Sequence, residues 1–183
     1  MPRRPGHAVL IAVLAAGLSA CGGTKKTEAP PPAPQKIRLT SPAFRDGARL
    51  PRKFTCDGAR TSPPLAWSGV PKGAAELALL VEDQDTPGGI FVHWTLFRID
   101  PGTSHVAAGE SPFGASEGKN SFGKEGYGPP CPPKGDKPHH YVFALYALRA
   151  RMGLGAGASP GDVRDSISKA ASAQGRLIAT YVR

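Results

Sequence analysis

Residues Leu80–Asp100, LVEDQDTPGGIFVHWTLFRID, and Lys119–Leu148, KNSFGKEGYGPPCPPKGDKPHHYVFALYAL, decide the fold. Each ends in an apolar run, FVHWTLFRI (Phe91–Ile99) or YVFALYAL (Tyr141–Leu148), with histidine inside it or just before it. Runs this apolar, without polar alternation, read as strands covered on both faces. Asp83 and Asp85 lie upstream of the first run, and the loop GYGPPCPP (Gly126–Pro133) leads towards the second. Polar side chains on or beside buried strands are costly unless they serve one another or a ligand. A cleft with a few convergent polar groups is the expectation.

Outward from these runs the chain is punctuated by 23 glycines and 20 prolines, which predicts many short strands packed as a sandwich or barrel. KIRLT (Lys36–Thr40) alternates polar and apolar, as a half-buried strand does. ARLPRKFT (Ala48–Thr55) follows an Asp46-Gly47 turn signal, and PLAW (Pro64–Trp67) and ELALLVE (Glu76–Glu82) add further strands. One helix is predicted near the end. Ser159-Pro160-Gly161-Asp162 supplies an N-cap, a proline at the first position and an early acid. Val163, Ile167, Ala170 and Gln174 share a helical face, Gly175 is the expected stop, and Arg176–Val182 returns as a strand.

Several side chains admit two readings from chemistry alone. Asp83 and Asp85, two apart on an extended chain, could share a face and bind a cation or orient a histidine; they could equally bond their own turn. His93 could be a satisfied core residue, and alternation sends it and Trp94 to opposite faces. In Gly126–Pro133 the prolines remove donors, so the remaining N–H groups, Cys131's among them, either face an anion as a nest or belong to a rigid surface loop. Tyr141 shares a strand face with His139 and could wall a pocket or donate to a bound oxygen.

The set FTCDG (Phe54–Gly58), SPPLAW (Ser62–Trp67), Asp-x-Asp-x-Pro (Asp83–Pro87), His93-Trp94 and YGPPCPP…HHY (Tyr127–Tyr141) resembles the phosphatidylethanolamine-binding protein family, in its bacterial Raf-kinase-inhibitor-like branch. The resemblance runs from about Ile37 to the C-terminus. It implies a mostly β protein, an antiparallel sandwich with a C-terminal helix, over residues 37–183. It also implies non-catalytic binding of a small anionic or phosphorylated ligand, with no cofactor and no metal. Asp83, His93 and His139 would share the pocket, Tyr141 would stand beside them, and the Cys131–Pro132–Pro133 backbone would form the mouth. Asp85 resembles a loop organiser. His140 stands where many relatives carry arginine, so it cannot supply a bidentate fork. Gln84 replaces a proline common in that motif.

Two rival functions use the same residues. One is a protein-interaction module inhibiting a kinase or protease, as the family's name suggests. The other is a metal-assisted hydrolase built on Asp83, His93 and His139, for which no nucleophile can be named. Gly157-Ala158-Ser159-Pro160-Gly161 matches G-x-S-x-G, but no strand precedes it and no histidine follows residue 140, so it reads as the helix cap. The formal net charge is +9, yet the lysines and arginines are scattered and no nucleic-acid motif is present.

The N-terminus reads as a lipoprotein signal over residues 1–20. MPRRPGH is basic, AVLIAVLAAGL is apolar but too short to span a bilayer, and Leu18-Ser19-Ala20-Cys21 follows. Cys21 would carry the lipid, and the proline-rich residues 22–36 would act as an extended tether. The expected location is therefore the cell envelope, extracytoplasmic and anchored to a membrane. Cys56 and Cys131 would then lie in an oxidising compartment, where either a disulfide or two free thiols fits.

Overall fold

The computed structural model describes Met1, Ala33 and residues 35–183. The signal sequence, Cys21 and nearly all of the tether lie outside the described residues. Strands run in the order β1 (Gln35–Lys36), β2 (Arg38–Thr40), β3 (Leu65–Ser68), β4 (Glu76–Asp83), β5 (Phe91–Ile99), β6 (His105–Val106), β7 (Ser116–Glu117) and β8 (His139–Leu148). Helix α1 (Pro160–Ala170) and β9 (Ala171–Tyr181) complete the chain. The larger sheet has the order β1-β9-β8-β4-β5-β7, antiparallel except where β1 joins β9; the smaller is β2-β3-β6.

The unbroken apolar character of β4 and β8 follows from their place at the centre of the larger sheet, covered on both sides. On one face Leu77, Leu79, Val81, Tyr141, Phe143 and Leu145 meet Leu39, Leu65, Trp67 and Val106 of the smaller sheet. On the other, Ala78, Leu80, Val142, Ala144 and Tyr146 pack against Val163 and Ile167 of α1. Ser159 caps that helix by accepting a hydrogen bond from the Asp162 N–H at 3.2 Å.

Three local expectations are corrected. KIRLT is not one strand: the chain switches sheets at Ile37, whose N–H still donates to Gln174 O. ARLPRKFT is not a strand; it holds one bridge, Arg49 to Thr180, and a short 3-10 turn at Arg52–Phe54. The helix stops at Ala170, and Gln174 and Gly175 belong to β9. Pairing with β8 wins there, because Ala173–Tyr181 supply alternate inward residues that a longer helix would expose.

Gly175 is needed for close approach, not for stopping a helix. A Cβ there would lie 2.5 Å from the carbonyl oxygen of Ile37. Gly175→Ala is therefore expected to cost about 1–3 kcal/mol through overpacking against backbone, read as a lowered urea midpoint at unchanged slope.

Candidate functional site

Asp83 ends β4, and in the ladder it faces Tyr141 of β8 on one side and Phe91 of β5 on the other. Three strand ends thus bring a carboxylate, a phenol and an aromatic ring to one pole of the inter-sheet core. His93 joins them through a β-bulge. Val81 pairs with Trp94 and Glu82 with Val92, so His93 is an extra residue on β5. The bulge overturns the opposite-face expectation. Trp94 stays in the inter-sheet core, and His93 packs edge-on against Tyr141 of that same core, ring centroids 5.2 Å apart. Bulges re-aim side chains in this way beside functional sites.

All six residues expected at the site, Asp83, His93, Cys131, Pro132, His139 and Tyr141, line one cavity of about 190 Å3. Thr86, Phe91, Phe122 and Pro133 complete it. Phe91 and Phe122 are walls to which none of the sequence motifs points. Phe122 is half-exposed and meets Phe91 edge-on at 4.8 Å. A large apolar ring in the polar turn Asn120–Lys124 was the available signal. Buried Asn120 shapes that turn, its Oδ1 accepting from the N–H groups of Phe122 and Lys124.

Both buried histidines have one ring nitrogen committed. His93 Nδ1 is 2.7 Å from Gly128 O, and a carbonyl can only accept, so Nδ1 carries the hydrogen. Gly128 N–H in turn donates to His93 O at 2.7 Å, which latches the proline loop to the bulge. A side chain at 128 would run into the Phe122 ring, 2.6 Å from an added Cβ. His139 Nδ1 donates to Asp83 Oδ2 at 2.7 Å. In each ring Nε2 is left for other partners. Near His139 Nε2 the closest carboxylate is that of half-exposed Asp136, 3.6 Å away. An anion at this nitrogen would lie near the Asp136 carboxylate, a like charge that opposes it.

Burial lowers the pKa of His93, outweighing the pull of Gly128 O and Asp83 in the other direction. Burial first, then the charge of Asp83, raises the Tyr141 hydroxyl, which stays protonated. That hydroxyl is buried with no hydrogen bond of normal geometry, though the Asp83 carboxylate is close enough to draw on its proton, so a ligand oxygen would compete with Asp83 for it. Asp83 Oδ1 also accepts from the Asp85 N–H. Asp85 points elsewhere, its Oδ2 accepting from the backbone N–H of His140 at 2.7 Å and meeting His140 Nδ1 at 2.9 Å. Burial opposes ionisation of Asp85, but these bonds prevail and lower its pKa. His140 is exposed and lies outside the cavity lining.

The mouth is fastened from outside. Cys56 and Cys131 are joined, their sulfurs 2.05 Å apart. Tyr127 Oη donates to Phe54 O at 2.8 Å, and Cys56 N–H donates to Pro130 O. The FTCDG and YGPPCPP motifs are thus two halves of one rim. Ser159 of the G-x-S-x-G match lies in the α1 cap, as read from sequence.

The profile of the phosphatidylethanolamine-binding protein family matches residues 40–182. The chain belongs to this family. A curated relative, "Putative lipoprotein LppC" of Mycobacterium tuberculosis, is 46% identical over 152 residues, covering 83% of this chain and 75% of that one. Among solved structures the chain is similar to the phosphatidylethanolamine-binding protein homolog CT736 of Chlamydia trachomatis, with TM-score 0.76 and 36% identity over 81% of this chain and 99% of that one. It is equally similar to Escherichia coli YbcL, described as a member of the mammalian family, with TM-score 0.77 and 33% identity over 81% of this chain and 99% of that one. The mostly β fold with its late helix is therefore the family's fold. No helix among the described residues is long and apolar enough to cross a membrane.

Proposed function

We propose that the cavity binds a small anionic or phosphorylated ligand without transforming it, in a domain that the N-terminal segment anchors to the cell envelope through lipid on Cys21. The observation that carries the binding reading is the paired commitment of the two Nδ1 atoms, His93 to Gly128 O and His139 to Asp83. It fixes both rings and leaves two Nε2 atoms and the Tyr141 hydroxyl, which makes no hydrogen bond of normal geometry, for oxygen atoms of one ligand. Asp83 acts as a positioning residue for His139. Membership of a phosphatidylethanolamine-binding family and the name of the mycobacterial relative support the ligand class and the anchor.

The tautomers set the selectivity. A neutral His93 Nε2 accepts a hydrogen bond and cannot donate one. A phosphate or phosphomonoester that still carries a proton can donate its own O–H to this nitrogen. Sulfate cannot, and must wait until His93 is protonated. Because the free-state pKa of His93 is lowered, protonation falls below the usual value of about 6.5. An anion favours the protonated ring, so its affinity must rise as pH falls through that range. Calorimetric titration with sulfate, which has no titrating proton between pH 5 and 8, should show affinity rising about tenfold or more on going from pH 7.5 to 5. At pH 7.5 phosphate should bind more tightly than sulfate. Sulfate affinity that is flat with pH, or that rises with pH, would remove the histidines from the reading.

A further inference from the structure

The opposite pole of the sandwich has its own character. β4 begins there at Glu76, β5 and β8 end there at Ile99 and Leu148, and β9 starts there at Ala171. The chain also enters at this pole, since Gln35 pairs with Ala173. Asp83 and Glu76 are seven residues apart on one strand, so about 24 Å separates this pole from the His/Asp cavity.

Five exposed cations gather at this pole. Arg98 is the last residue but one of β5, Arg149 and Arg151 follow β8, Lys72 lies in the turn before β4, and Lys169 is in the last turn of α1. None of them is in an ion pair among the described residues. Opposing exposed carboxylates include Asp100, Glu110 and, four residues before Lys169 on α1, Asp165. Glu76 is buried, with Oε1 accepting from the Met152 N–H; burial raises its pKa, and Arg151 and Arg98 lie near enough to pull it down against that rise. Arg98 is held at φ 57°, in the left-handed region that non-glycine residues seldom adopt, at a second bulge of β5. Arg98 and Arg151 border a cleft of about 640 Å3, and on its rim Phe113 is fully exposed between Pro112 and Gly114.

We propose that this pole is a bilayer-docking face, with Phe113 entering the interfacial region and Lys72, Arg98, Arg149, Arg151 and Lys169 meeting the phosphates of anionic phospholipid. Several exposed basic side chains at one pole, two of them beside a cleft from which an aromatic ring projects, have the chemistry of an interfacial contact. The position of chain entry agrees. The chain preceding Gln35 carries the apolar run Ala8–Leu18 and Cys21, so an anchor on either would attach to the domain at this pole. From Cys21 to Gln35, a fully extended tether reaches at most about 50 Å. Docking by this pole turns the His/Asp cavity away from the bilayer, so its ligand comes from the aqueous side. The docking face stands independently of what the cavity binds.

Residues 35–183 carry every strand and both cores found among the described residues, so this chain is the form to test. It should sediment with vesicles of mixed phosphatidylglycerol and phosphatidylcholine at low salt and only weakly with phosphatidylcholine alone. Each basic side chain near an anionic surface contributes about fivefold. Combined Arg98→Glu, Arg149→Glu and Arg151→Glu should therefore reduce binding about a hundredfold or more, while sulfate binding at the other pole stays unchanged. Phe113 is solvent-exposed, so Phe113→Trp keeps the fold, and its fluorescence should be quenched by brominated acyl chains in the anionic vesicles. Absence of vesicle binding, equal binding to both compositions, or an unquenched Trp would overturn the proposal. A lipid-free dimer that Phe113→Ser converts to monomer would assign the face to a second copy and overturn it as well.

Discussion

Glu82→Ala should destabilise the protein by about 3–5 kcal/mol, a large share of the stability of an ordinary domain. Glu82 points from β4 to the helix side of the sheet, where its Oε1 receives Arg164 Nε at 2.8 Å and has Nη2 at the same distance. Both side chains are buried, the carboxylate and the guanidinium each about 95% removed from solvent. Removing the acid leaves a guanidinium that can neither deprotonate nor reach water from under α1. The large effect is a property of breaking the pair, not of the pair's net worth. The double replacement Glu82→Leu with Arg164→Met should recover most of the loss, because two apolar side chains of similar volume carry no desolvation cost. Urea unfolding of the single and double variants decides this. A loss below about 1 kcal/mol for Glu82→Ala would show that α1 does not bury Arg164 against β4. Neighbouring residues of a strand face opposite ways, so affinity at the Asp83 side should be unaffected wherever the variant is folded.

Reduction of the Cys56–Cys131 bond should cost about 4 kcal/mol. The bond spans 75 residues, and closure of a loop that long removes much of the unfolded chain's freedom. Cys131 also lines the cavity, and the bond lashes the YGPPCPP rim to the FTCDG loop. Reduction should therefore weaken anion binding as well as stability. In a chain starting at Gln35, maleimide labelling of the native, unreduced protein should find no thiol, and reductant should lower the urea midpoint. Two labelled thiols without reductant would contradict the bond.

Most of the residues that line the cavity were legible in the sequence, whereas their geometry was not. Asp83, His93, Cys131, Pro132, His139 and Tyr141 were all named from motifs, and one cavity collects them. What the motifs could not carry was the bulge. Period-two alternation placed His93 and Trp94 on opposite faces, and a single extra residue on β5 reverses that. Asp136 was missed for a related reason. It stands three residues before His139, outside any strand, and only a folded turn brings its carboxylate near the ring. The cysteine pairing was open because spacing alone does not measure distance. In the fold, β4, β5 and β8 were legible from apolar runs, whereas the sheet switch at Ile37 and the early end of α1 depend on partners distant in sequence. Phe122 had a local signal, an apolar ring in a polar turn.

The central claim is that two histidines, each fixed through Nδ1, hold one anion through Nε2. Its most direct test is calorimetric titration of inorganic phosphate and phosphoethanolamine into the wild type and into His93→Ala, His139→Ala and His105→Ala. His105 lies by the larger cleft near the far pole and serves as the control. Each site histidine should contribute a charge-assisted hydrogen bond, so His93→Ala and His139→Ala should each lose about tenfold or more in affinity, with folding verified by unchanged urea slopes. His105→Ala should match the wild type. Equal affinities for all three variants would contradict the account and place the anion site elsewhere.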